Sequence, residues 1–144
     1  MKKLVLSLLL GLSSASSFAL SDAEGLALYR NLAPKQLMAI SVFGKEKNMT
    51  PVEFVNSLPQ ECNSYLKQLA ENNVNKIGKG DLEKIIKGLQ YDIGQSSSVS
   101  KDDVIDFNFF GERVDLLIAI SKDKTGKYSN LSEYCVKKNQ ALKP

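Results

Sequence analysis

Residues 100–122 read SKDDVIDFNFFGERVDLLIAISK, and two incompatible structures can be written on them. Ile105, Phe107 and Phe109 alternate with Asp106 and Asn108. Gly111-Glu112-Arg113 has turn composition, and Val114 to Ile120 is aliphatic and partly β-branched, so the segment fits a hairpin. Ser100 and Asp103, however, stand at capping-box spacing, where a hydroxyl and a carboxylate satisfy backbone N–H groups that a first helical turn leaves unpaired. Leu116, Leu117, Ile118 and Ile120 suit a helix buried on all sides. The reading adopted is a helix, with a β-hairpin around 103–120 as the alternative.

The rest of the chain supports the helical choice. Cys62, Tyr65, Leu66 and Leu69 fall at i, i+3, i+4 and i+7, and so do Leu82, Ile85, Ile86 and Leu89. Leu131, Tyr134 and Cys135 begin the same pattern near the end. Ser21 with Glu24 and Thr50 with Glu53 repeat the capping-box spacing, and Pro51 takes the first helical position, where its missing N–H costs nothing. Breaks are expected at Pro34, Gly44 to Asn48, Pro59, Gly78 to Gly80, and in a polar loop from Gly94 to Ser100. The expected fold is mainly α, a small single-domain helical bundle over 20–144.

The first 19 residues have the layout of a cleavable export signal. Lys2 and Lys3 open it, Leu4 to Leu12 form an apolar run, and Ser17 and Ala19 are the small residues before the expected cut. That run is far shorter than the roughly 20 apolar residues needed to span a bilayer, so no stable membrane anchor is expected after cleavage. The address is then periplasmic or secreted. Cys62 and Cys135, an even pair in an exported chain, are expected to form a disulfide. Closing the loop over 63–134 would remove about 4 kcal/mol of unfolded-state freedom on the chain-entropy view.

Losing Lys2 and Lys3 turns 19 basic against 16 acidic side chains into 17 against 16, a net +1. Such a balance, with no Trp, argues against a nucleic-acid partner, which normally calls for a strongly basic face with stacking aromatics.

Chemistry is restricted further by the absence of histidine, the commonest general base and zinc ligand. Three fragments match short motifs of penicillin-binding enzymes: Ser64 to Lys67, Lys124-Thr125-Gly126 and Tyr128-Ser129-Asn130. The last two are inverted and nearly adjacent, so the order required for serine chemistry is missing. A calcium loop from Ser121 would place Asp123, Thr125, Gly126, Lys127 and Ser129 at template positions, but Ser121 and Ser132 occupy the first and last ligand positions. Lys122, Lys124 and Lys127 would also oppose a dication. The carboxylates Asp102, Asp103, Asp106, Glu112 and Asp115 read as helix-face or cap residues, and Gly78-Lys79-Gly80 as a turn before a helix.

What remains is a non-enzymatic reading without cofactor or metal. The expectation is a small exported helical protein that acts by stoichiometric binding to another envelope or secreted protein, as an inhibitor or immunity-type factor. The alternatives are a periplasmic acid-stress chaperone, because protonating 16 carboxylates would leave about 17 positive charges, and a carrier of an apolar small molecule around Phe107, Phe109 and Phe110. Tyr91, Phe107, Phe110 and Tyr128 are the expected partner contacts, since aromatic side chains dominate interface energetics.

Overall fold

A computed structural model describes residues 20–94 and 98–143. The expected export segment 1–19, its expected cleavage position, and Gln95 to Ser97 of the polar loop lie outside the described residues. Seven helices form among those residues, and no strand: α1 Asp22–Leu32, α2 Pro34–Glu46, α3 Pro51–Val55, α4 Gln60–Asn75, α5 Lys79–Ile93, α6 Lys101–Lys122 and α7 Leu131–Ala141.

Helix α6 takes the segment with two readings, and Gly111-Glu112-Arg113 lies in its interior. Its start is the box anticipated at Ser100: the Ser100 N–H donates to Asp103 Oδ2 at 2.9 Å, and the Asp103 N–H donates to Ser100 Oγ at 3.4 Å. The alternation that suggested a strand has a different origin. Val104, Ile105, Phe110, Val114, Leu116 and Leu117 are all buried, so the helix is covered over most of its circumference and cannot show a narrow apolar stripe. Around it the chain closes two apolar clusters. One joins Phe110, Val114 and Leu117 to Ile40, Phe54 and Leu66; the other joins Val104 and Ile105 to Leu28, Val74 and Leu89.

Sequence signals explain how the other helices begin and end. Ser21 and Thr50 each accept from the N–H three residues on, while Glu24 and Glu53 reach back to the cap N–H at 2.9 Å. Pro34 forces the break between α1 and α2, since the residue before a proline avoids helical geometry; Ala33 there adopts φ −140° and ψ 66°. Helix α2 ends where Asn48 takes a left-handed φ of 59°, allowing the Met49 N–H to return to Gly44 O at 2.8 Å.

Helix α4 buries Cys62, Leu66, Ala70 and Val74, a file at i+4 spacing, and packs most extensively on α6 and α7. The tie to α7 is covalent: Cys62 and Cys135 form the expected disulfide, with Cα atoms 4.9 Å apart and both residues fully buried. A disulfide of this kind persists in a non-reducing compartment. Among the described residues no helix is long and apolar enough to cross a membrane.

Candidate partner-contact surface

The bridge has a consequence for the surface. Helix α7 fully buries only Cys135; beside the covalent tie it is held by the half-buried Leu131 and Tyr134 packed on the core and by Ser132 Oγ donating to Glu61 Oε1 at 3.3 Å. That loop, 123–130, is organised by one carboxylate. Asp123 Oδ1 accepts from the Thr125 N–H at 3.1 Å and from Thr125 Oγ1 at 2.9 Å, and Asp123 Oδ2 accepts from the Tyr128 N–H at 3.3 Å. The hydrogen bond from the Thr125 backbone is the main reason the Asp123 carboxyl is held below its ordinary value. The sequence had aligned Asp123 with a calcium-loop position; here its oxygens cap the loop's own N–H groups. Asn130 then caps α7, accepting from the Glu133 N–H at 3.2 Å.

On this frame Tyr128 meets Tyr134 edge to face, with ring centroids 4.9 Å apart and planes at 75°. Both are half-buried against the core. Lys127 Nζ lies 5.5 Å from the Tyr128 centroid and Lys138 Nζ lies 5.7 Å from that of Tyr134. Tyr128 was expected to contact a partner; the roles of Tyr134 and the two flanking lysines were not read from the sequence. Tyr134 had been assigned to a buried helix face by its spacing from Leu131, and that same spacing leaves its outer edge at the surface.

The other expected contacts are scattered. Tyr91 is 75% exposed near the end of α5. Phe110 is 1% exposed and packs inside, edge to face with Tyr29 at 5.5 Å, so it has no surface to offer. Phe107 is half-buried on the same Tyr29 ring at 5.8 Å. It also lines a small apolar pocket of about 10 Å³ together with Leu28, Leu89 and Asp103. Such a space holds about one water, whereas small-molecule sites run to several hundred Å³.

A second region joins α4 to α6 in a shallow groove of about 480 Å³, lined by Gln60, Ser64, Lys67, Glu71, Phe109 and Arg113 among others. Its cations are engaged. Lys67 Nζ is 3.2 Å from Asp106 Oδ1, which fixes the lysine of the Ser64 to Lys67 motif in an ion pair. Arg113 is buried, donates through Nη2 to Asp22 Oδ1 at 2.6 Å, and stacks on Phe109 with its guanidinium carbon 4.2 Å from the ring centroid. Ser64 Oγ lies 3.4 Å from Gln60 Nε2, whose amide donates to it.

Of the acidic residues singled out in α6, Glu112 has its carboxyl pushed up, by burial first and by Asp115 second, and it accepts from Asn73 Nδ2 at 3.2 Å. Burial, then Asp115 and Glu112, also push up the Tyr29 hydroxyl. Asp103 is the α6 cap and Asp106 the partner of Lys67, so these carboxylates hold the fold.

Comparison with protein families, with curated proteins and with solved structures gives no match for this chain.

Proposed function

We propose that the chain is an exported, periplasmic or secreted binding protein that works by stoichiometric contact with another envelope or secreted protein, as an inhibitor or immunity-type factor. The observation that carries this reading is the bridge from Cys62 to Cys135, which fixes α7 and its preceding loop to the core and holds the Tyr128 and Tyr134 pair half-exposed at the surface. Side chains ordered before association lose less entropy on binding, and tyrosine is among the residues that contribute most at interfaces. Several groups of catalytic residue type are engaged in the fold: Lys67 with Asp106, Asp123 with its loop and Asp103 with a helix cap.

The test is isolation of the protein from its native envelope fraction, followed by native mass spectrometry of what remains bound. One partner in a fixed ratio supports the proposal. Many unrelated clients held after acid exposure would make it a chaperone instead. Conversion of an envelope substrate at far below one protein per substrate, abolished by changing Ser64 or one acidic residue, would make it an enzyme.

A further inference from the structure

Charge is unevenly distributed along the sequence after residue 19. Residues 122–143 carry six lysines against Asp123 and Glu133, a side-chain net of +4, whereas residues 20–121 carry 11 basic against 14 acidic side chains, a net of −3. Both carboxylates of the basic segment are already used. Asp123 is bonded within its loop, and Glu133 pairs with Lys137 at 3.4 Å. Among the described residues no carboxylate lies within ion-pair distance of Lys124, Lys127 or Lys138. Lys127 and Lys138 lie instead over the two rings of the Tyr128 and Tyr134 pair.

We propose that this lysine and tyrosine face is the docking surface for an acidic patch on a partner protein. The proposal rests on the protein-binding reading above and names the chemistry of the partner. Lys127 and Lys138, ammonium groups without carboxylate partners beside the two rings, gain from any carboxylate brought to them, and this gain is realised partly at a distance. Lysines grouped beside an ordered aromatic pair orient the encounter with an acidic surface and raise the association rate. The tyrosine pair then supplies amphipathic area that is already ordered before the partner arrives. A bilayer or a nucleic acid is less suited. Either presents an extended field of negative charge that the −3 remainder of the molecule would oppose, and stacking of bases requires ring faces that here are occupied by lysines and by each other.

Two measurements test this. In the first, hexaglutamate peptide is titrated into isotope-labelled full-length protein and followed by amide shifts, with duplex DNA and phosphatidylglycerol vesicles as parallel probes. Perturbation should be confined to residues 122–143. It should weaken at least about fivefold in the folded Lys127→Glu, Lys138→Glu double variant and fall with added salt, as screened charge interactions do. Shifts spread over the molecule, insensitivity to the charge reversal, or tighter binding of DNA or vesicles through the same residues would overturn the proposal.

In the second, a photo-reactive side chain is placed in cells at Lys124, at the exposed Met38 of α2 or at the exposed Tyr91 of α5, and adducts are identified by mass. An adduct from the Lys124 position with one protein, formed through an Asp- and Glu-rich segment and lost on the double reversal, supports the docking surface. Adducts only from Met38 or Tyr91, or from Lys124 to a second copy of the chain, overturn this surface and leave protein binding standing. No protein adduct from any position removes both.

Discussion

Gly25 lies directly against the Phe110 ring: a Cβ at that position would stand 2.9 Å from both Cγ and Cδ1. The close approach of α1 to α6 therefore depends on the missing side chain. Gly111, also helical, differs, because a Cβ there would meet Tyr29 Cε1 at 3.5 Å, an ordinary contact. Gly25→Ala should destabilise by about 1–3 kcal/mol through overpacking. Gly111→Ala should be neutral or stabilising by up to about 1 kcal/mol, because glycine is a poor helix former. Urea unfolding of the two variants, followed by circular dichroism, checks the opposite signs.

Arg113 and Asp22 are brought together across 91 positions of sequence, with the guanidinium buried and stacked on Phe109. Truncating the carboxylate leaves a buried cation short of its main acceptor, with Asn56 Oδ1 remaining at 3.5 Å. Asp22→Ala should cost about 1–3 kcal/mol. Asp22→Ala combined with Arg113→Met should recover part of that loss, since an unpaired buried charge is worse than none. A double-mutant cycle on unfolding free energies measures the recovery.

That pair also marks the limit of what the residues disclose when read in order. Capping at Ser21, Thr50 and Ser100 is local: donor and acceptor sit three residues apart, so spacing alone finds them. The disulfide was found by elimination, because only two cysteines exist. Asp22 with Arg113, and Tyr128 with Tyr134 and Lys138, depend on how helices are brought together, and no periodicity reports it. Phe110 and Tyr91 make the same point, since identical reasoning picked both as contacts and only packing distinguishes a core ring from an exposed one. The hairpin alternative over 103–120 arose because a helix surrounded by core shows no amphipathic stripe.

The disulfide yields its own prediction. Replacing both Cys62 and Cys135 by Ala should lower stability by about 2–5 kcal/mol, the usual cost of losing a native bridge. Because α7 fully buries one residue where α4 buries four, the loss should be uneven. Hydrogen exchange should rise first in α7 and the 123–130 loop, with α4 and α6 retaining protection longer. Uniform loss of protection would mean that α7 is integral to the folding unit without its bridge.

Acid behaviour depends in part on Glu112 and Asp115, both raised, and on Asp123, which is lowered. Burial and Asp115 raise the Glu112 carboxyl above its ordinary 4.5. Between the ordinary and the raised value the native state binds more protons than the unfolded one, so Glu112 reduces stability as pH rises through that window. Below the window the penalty is absent. Asp123 is held below its ordinary 3.8 by its loop bonds, so its contribution is present above that value and is lost as pH falls towards the depressed one. Glu112→Gln should therefore be more stable than the parent at pH 7 and indistinguishable from it well below the window, whereas Asp123→Asn should be less stable at pH 7 with the difference shrinking in strong acid. Unfolding free energies from pH 3 to 8 for the three proteins provide the check. The same signs bear on function. Near pH 4.5, within about the range where carboxylates titrate, protonating Glu112 favours the native fold, and Asp123 remains ionised. A stoichiometric binder should keep its near-ultraviolet dichroism there and bind no hydrophobic dye. Loss of tertiary signal with dye uptake at that pH would instead match a chaperone that opens in acid.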